Sequence, residues 1–298
     1  MTAGLSVGIQ TRNRPDALEV CLRSLERLAH LHPEVLVLDD GSEPPASVPA
    51  GLGVNARVLR GSGAAAAGRN RVVREASNEL VLLLDDDTAV LDAGSVADAM
   101  AVMQRDPSVA VIAFAQAHAD GTEWPASMQP SPAQEPVVVN NFIGFAHLVR
   151  RSVFLELGGY REIFEYQGEE KELSLRLIDS GRSIVYLPQA RIAHLTDPSS
   201  RNARRYLRLV SRNDCLNSLF NDPLHRVIWM VPARLVLYFR MRRGWRIHDP
   251  GGAWWIVSQV FRSLPAVWRA RRPVSRATLR RWRALRERPE PYEVRRAG

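Results

Sequence analysis

The sequence predicts an α/β fold organised around a largely parallel sheet, and three observations carry that expectation. Short apolar runs alternate with helix-periodic segments through the first 115 residues, the βα rhythm of a parallel sheet. The run "LVLLL" (80–84) is apolar without alternation, as suits a strand covered on both faces. Carboxylates cluster where two such runs stop, at Asp39–Asp40 and at Asp85–Asp87, and in open parallel sheets ligands collect beyond the carboxyl ends of the strands.

The elements follow in order. "LSVGIQ" (5–10) reads as the first strand. Leu18, Cys21, Leu22, Leu25 and Leu28 recur at helical spacing and predict a helix over 16–28, behind Pro15 near its first turn. "EVLVLDD" (34–40) is strand-like and runs into the turn residues "GSEPP". A strand over 56–61, a helix over 64–77 and a strand over 79–84 come next, then a helix over 95–106 with Ser95 as its cap and a strand over 109–114. Residues 117–140 are rich in Pro and polar residues without a period, which predicts a loop or irregular hairpin. Residues 145–160 read as a strand, a short helix and a Gly-Gly turn. A helix over 168–181 would carry Leu173 and Leu177 on one face, a Glu172–Arg176 pair and Gly181 at its C-cap. "RSIVYLP" (182–188) predicts a strand that Pro188 stops, and the remainder reads as amphipathic helices.

With 298 residues, 46% of them hydrophobic, the chain can bury a sizeable core. Cys21 and Cys215 are its only cysteines, which suits neither a disulfide framework nor a zinc cluster. The N-terminus shows no signal-peptide pattern, and no apolar run approaches the roughly 20 residues that cross a bilayer, so a cytoplasmic location is expected. The net charge of +8 is divided. Residues 201–298 hold 23 Arg against 6 acidic residues, or +17, whereas residues 1–200 hold 17 basic against 26 acidic residues, or −9. Six of the seven tryptophans also lie in the basic part.

Several motifs recur in one order: "TRNR" (11–14), Asp39 to Ser42, "GRN" (68–70), Asp85–Asp87, the turn Gly158–Tyr160, "GEE" (168–170) and His194. This order resembles family 2 glycosyltransferases of the GT-A fold over residues 5 to about 215. The resemblance implies a mostly parallel, Rossmann-like nucleotide-binding sheet with an arginine-rich helical C-terminal region. It places a GT-A catalytic domain at 1–220, with its donor part at about 1–115 and its acceptor part at about 116–220, and a basic helical region at 221–298. Gly68 stands where the family usually carries alanine. The implied activity is inverting transfer of a sugar from a UDP- or dTDP-linked donor to a hydroxyl of a glycan or lipid-linked acceptor, with Mn²⁺ or Mg²⁺ as cofactor.

A leaving nucleotide diphosphate gathers charge that a hard divalent cation can offset, and such a cation wants carboxylate ligands. By resemblance Asp87 is the leading metal ligand, Asp85 a direct or water-mediated one, and His194 a contact to metal or diphosphate. Asp86 would meet the ribose or sugar, and Thr11, Arg12 and Asp40 the base and ribose. Arg69 can offer a charged fork to phosphate, or be a surface arginine. An acceptor hydroxyl needs a base. Glu169 and Glu170 both fall within about 60° of the Leu173–Leu177 face at ~100° per residue, so periodicity does not choose between them. The family offset selects Glu170, at a position where many members carry Asp.

Two other readings compete. "GSGAAAAG" (61–68) contains a Gly-x-Gly-x-x-Ala pattern between a strand and a helix, which would suit an NAD(P)-dependent oxidoreductase, but it follows the third strand rather than the first. The arginine-rich end invites nucleic-acid binding, yet no zinc spacing or recognition module accompanies it, and no nucleic-acid partner is expected. Trp254, Val257, Phe261, Leu264 and Trp268 recur at helical spacing beside several arginines, and "RVIWMVPARLVLYFR" (226–240) is similar, though Pro232 should kink or break it. Such helices suit either a peripheral position on an anionic membrane surface or packing as core.

Overall fold

A computed structural model of the chain describes residues 4–61, 65–195 and 202–293. Strands β1 (Leu5–Thr11), β2 (Glu34–Asp39), β3 (Asn55–Arg60) and β4 (Leu80–Asp85) pair in parallel in the order β3-β2-β1-β4. Strand β8 (Ala146–Arg150) runs antiparallel between β4 and β6 (Val109–Ala117), so β6 points the same way as β4. Strand β9 (Ser183–His194) lies parallel to β6 on its far side. Beyond β9 come β7 (Val137–Val138) and then β10 (Glu290–Pro291), which returns the end of the chain to the sheet edge. The short β5 (Thr88–Val90) pairs with the end of β9.

Strand β4 shows why its apolar run lacks alternation. Leu80, Leu82 and Leu84 enter one core with α1 (Pro15–Ser24) and α3 (Ala93–Arg105), while Val81 and Leu83 enter a second core with α2 (Ala65–Glu75), α4 (Arg151–Glu156) and α5 (Glu169–Asp179). Both faces are covered, so every position is apolar. The helix expected over 16–28 is α-helical only to Ser24 and tightens to 3₁₀ over Leu25–Leu31. The cap of α3 is Asp92, whose carboxylate accepts from the Ser95 amide at 2.8 Å, so Ser95 lies inside the helix rather than before it.

Pro188 does not end β9. The strand runs twelve residues, and its register with β6 jumps from Phe114↔Leu187 to Ala115↔Arg191. Residues 188–190 bulge out of the ladder, where a residue without an N–H costs no sheet bond. Past the bulge the strand continues to His194.

The Gly-Gly turn is clipped to α2. Asn70 accepts from the Tyr160 amide at 2.8 Å and donates to its carbonyl at 2.8 Å. Gly159 lies in the left-handed region (φ +66), and a Cβ there would sit 2.5 Å from Asn70 Oδ1. At Gly68 a Cβ would sit 2.4 Å from the end of the Gln10 side chain, which would have to shift to admit alanine. Below the turn, Glu172 is fully buried between Arg161 (2.6 Å) and Arg176 (3.0 Å), and Arg176 also donates to the carbonyls of Leu157 and Gly159.

After the sheet, α6 (Ala203–Asn221), α7 (Leu224–Gly244) and α8 (Gly252–Ala270) share a cluster around Leu207, Cys215, Tyr238, Ile256 and Val260. Helix α9 (Arg276–Glu287) packs on α5 through Leu175, Val274 and Leu279. Helix α7 continues through Pro232. The carbonyl that loses its donor belongs to Ile228, on the exposed side of the helix where water can take it. The stripe of α8 faces outward: Trp254 is 75%, Phe261 65% and Trp268 73% exposed, while Ile256, Val260 and Val267 form the buried side. No described helix is long and apolar enough to cross a membrane.

Removing one partner of a buried ion pair strands the other charge. Glu172→Ala is therefore expected to lower the unfolding free energy by about 3–5 kcal/mol in chemical denaturation. Arg23→Ala, which breaks the exposed Arg23–Glu19 pair, is expected to cost less than about 1 kcal/mol.

Candidate active site

The acidic strand ends meet at one edge of the sheet. Strand β1 lies between β2 and β4, with Thr11 opposite Asp39 and Gln10 opposite Asp85, so Asp40 and Asp86 follow on either side of Thr11. Asp39 organises the turn after β2: its carboxylate accepts from the amides of Ser42 (2.8 Å) and Ala46 (3.0 Å) and from Arg60 (3.0 Å). Asp40 is thus spared that task and is half-buried at the strand tip. Asn13 joins the two tips, donating its amide to Ser42 Oγ and accepting from the Glu43 amide. Arg12 is exposed beside them.

The three aspartates have three different surroundings. Asp85 accepts from Arg69 at 2.6 Å. Asp86 is 4% exposed and faces Thr11 Oγ1 (2.8 Å) and Arg14 (2.6 Å), so Thr11 and Asp86 satisfy each other; burial pushes this carboxyl up to about 6. Asp87 accepts from Arg14 at 3.0 Å and lies 3.6 Å from His194 Nε2. The guanidinium groups of Arg14 and Arg69 offset part of the mutual repulsion of the cluster. Arg14 belongs to the "TRNR" stretch but was not among the residues singled out there. Its place directly before Pro15, at the start of α1, is the signal that it sits by the strand tips.

His194 is brought in by a ladder. Strand β5 starts one residue after Asp87 and pairs antiparallel with β9 so that Thr88 opposes His194, and the Leu195 amide donates to the Asp87 carbonyl at 2.8 Å. The imidazole stacks between Trp124 (5.4 Å) and Phe145 (5.0 Å). Its Nδ1 lies 2.6 Å from Gln116 Oε1, and the Gln116 amide nitrogen donates to the Met128 carbonyl, which turns the amide oxygen to the ring. The Gln116 amide oxygen thus fixes the ring through Nδ1, and Nε2 faces Asp87. Gln116 and Phe145 gave no sequence signal beyond their apolar surroundings.

One ligand atom each from Asp85, Asp87 and His194 lies within 4.8 Å of the others. Oxygen and nitrogen ligands around one small divalent cation stand at most about 4–5 Å apart, so this set could hold such an ion with little movement.

Arg69 is not a surface arginine. It is 9% exposed and reaches Asp85, the Gly144 carbonyl (3.2 Å), Glu169 (3.4 Å) and Glu170 (3.9 Å). It thereby joins the metal-ligand candidates to the start of α5. A Cβ at Gly144 would sit 2.2 Å from Glu170 Oε1, so the backbone there lies directly against the carboxylate. Glu169 and Glu170 both line a cleft of about 460 Å³ that also contains Arg69, Asp85, Trp124 and His194. Glu169 is the more enclosed, with its side chain 2% exposed against 16% for Glu170. Burial first, then the adjacent Glu169 carboxylate, raises the Glu170 carboxyl above the ordinary carboxylate range, against the pull of Arg69. Of the "GSGAAAAG" turn, residues 62–64 lie outside the described residues.

Comparison with known proteins follows this geometry. The sequence profile of glycosyl transferase family 2 matches residues 6–158. The O-antigen biosynthesis protein RfbC of Myxococcus xanthus is 26% identical over 228 residues, covering 67% of this chain but 18% of RfbC, so the chain spans about a fifth of that relative's length. Among solved structures, S. aureus TarS 1–349 in complex with UDP-GlcNAc superposes with a TM-score of 0.57 at 17% identity, covering 95% of this chain and 83% of that one. The mannosyltransferase PcManGT from Pyrobaculum calidifontis, in complex with GDP-Man and Mn²⁺, gives 0.56 at 12% identity, with 96% and 85% covered. These structural likenesses show the GT-A fold. With half the chain matched by the family profile, the protein belongs to glycosyl transferase family 2 and is a glycosyltransferase.

Proposed function

We propose that the chain moves a sugar from a UDP- or dTDP-linked donor to a hydroxyl of a glycan or lipid-linked acceptor, with inversion and with a divalent cation. The observation that carries this reading is the convergence of Asp87 with Asp85 and His194, the last two of which line the same cleft as Glu170. The name of RfbC supports a place in polysaccharide synthesis, and the sugar-nucleotide complexes of TarS and PcManGT support such a donor.

Asp87, Asp85 and His194 would hold the cation, and the imidazole among them favours Mn²⁺ over Mg²⁺. When bound, the cation would offset the charge gathered on the departing diphosphate. Asp40 and Arg12 stand where a base and ribose would reach the strand tips. Thr11 and Asp86 hold that edge together through their mutual bond and Arg14. Arg69 orients Glu170 and keeps Asp85 at the rim. Glu170 takes the proton of the acceptor hydroxyl as its oxygen attacks the anomeric carbon in line with the leaving phosphate; Glu169, more enclosed, lends its charge to keep Glu170 basic.

The outward faces of α7 and α8 suit a peripheral position on an anionic bilayer. Ile228, Trp229, Val236 and Phe239 are exposed on α7, as are Trp254, Phe261 and Trp268 on α8. Between 223 and 286 the only acidic residue is Asp249, which is buried against Arg208 and Tyr238.

Turnover of UDP- and dTDP-sugars should require Mn²⁺ or Mg²⁺ and stop with EDTA; thermal stabilisation by NAD(P)H without response to nucleotide sugars would favour the oxidoreductase reading. Glu170→Gln should abolish transfer while nucleotide binding by calorimetry persists, and retained turnover would reject the base assignment. The wild-type rate should climb as pH rises through the raised Glu170 value, since the base must lose its proton. The same shift has a stability consequence. The folded chain holds a proton at Glu170 that the unfolded chain has already released, so stability declines between the ordinary carboxylate range and the raised value, and Glu170→Gln should flatten that decline. Co-sedimentation with phosphatidylglycerol vesicles should exceed that with phosphatidylcholine vesicles, and Trp254→Ser/Trp268→Ser should remove the difference.

A further inference from the structure

A second cavity, of about 350 Å³, opens between α5, α6, α7 and α9. It adjoins the catalytic cleft, since Lys171 and Asp214 line both, and Lys171 follows Glu170 directly on α5. Its lining is basic. Lys171, Arg226, Arg234, Arg283 and Arg286 face Asp214, Asp222 and Glu287, an excess of two positive charges (5 − 3). Asp214 is shared by Lys171 (2.6 Å) and Arg234 (3.6 Å), and Asp222 is taken by Arg226 (3.5 Å). Arg283 and Arg286 have no ion-pair partner among the described residues.

The same cavity gathers buried polar atoms that lack hydrogen-bond partners. Four of the nine such atoms among the described residues belong to its lining: Asn217 Nδ2, Asn221 Oδ1, Arg234 Nε and Trp282 Nε1. Asn217 is 3% exposed, and because its amide oxygen accepts from Asn221 at 3.0 Å, its two N–H groups are left without a partner among the described residues. A buried donor without a partner is costly, and in native proteins such groups are answered by ordered water, an ion or a ligand. Three of these four atoms are donors, and the surrounding charge is positive. That is the chemistry of an oxyanion site; a cation would be repelled, and a neutral sugar would leave the excess charge unanswered.

We infer that this cavity binds a phosphate or phosphodiester group, and that the group belongs to the acceptor. The second half rests on the reading of Glu170 as the base, because a phosphate held beside Lys171 sets the acceptor's neighbouring hydroxyl against the preceding residue of the helix. Asn217 and Trp282 would donate to its oxygens while Arg283 and Arg286 close over it from the mouth.

The test uses the full chain without added metal and inorganic phosphate as the probe. The indole N–H signal of Trp282, identified by its loss in Trp282→Phe, should shift saturably with phosphate, and Arg283→Gln/Arg286→Gln should weaken that response about tenfold or more. An indole signal that ignores phosphate, or that responds equally in the double variant, overturns the site. This readout needs no turnover, so it fails independently of the transferase reading. A kinetic arm separates the two sources of the group. If the acceptor supplies it, the double variant raises KM for a phosphorylated glycan but not for the same glycan dephosphorylated, and phosphate competes only with the former. If phosphate alters both acceptors alike, the site takes free phosphate and the assignment to the acceptor is overturned.

Discussion

The site depends on holding three consecutive carboxylates at the tip of a buried strand. Repulsion among them would be severe in so enclosed a place, and the chain answers it by dividing them among separate partners. Arg69 takes Asp85, Thr11 and Arg14 take Asp86, and Arg14 with His194 meets Asp87. Each partner arrives on a different element: α2, the end of β1, the start of α1, and the far end of β9. The order of strands in the sheet is what makes those meetings possible, because β1 lies beside β4 and β5 pairs with β9. The fold and the site are therefore one constraint seen from two sides.

Much of this was legible in the sequence, where local pattern controls the outcome. The apolar run of β4 announced a strand covered on both faces, and the βα alternation announced the parallel sheet. The three aspartates were visible as a cluster, but their separate surroundings were not, because these come from Thr11, Arg14 and Arg69 in three dimensions. His194 could be singled out only through the order of motifs, since a ladder joining Thr88 to His194 leaves no local trace. Pro188 misled for a related reason: the bulge that tolerates it depends on the register with β6. Helix α8 is apolar on both sides, so periodicity found the stripe of Trp254, Phe261 and Trp268 without telling which face the neighbouring helices would cover.

The basic C-terminal third gains a purpose from its position. Helix α9 packs on α5, the helix that begins with Glu169 and Glu170, and β10 ties the end of the chain to the sheet. Part of its positive charge is thus laid next to the start of α5, while Trp229, Trp254 and Trp268 face outward on α7 and α8.

The central claim is that Asp85, Asp87 and His194 close on one cation. Pulsed EPR of the chain with Mn²⁺ and UDP, with ¹⁵N placed in histidine, tests it most directly. The account predicts a ¹⁵N coupling to manganese that disappears in His194→Ala, together with weakened manganese binding in Asp87→Asn. A manganese spectrum without histidine coupling, and the same in Asp87→Asn as in the wild type, would contradict it.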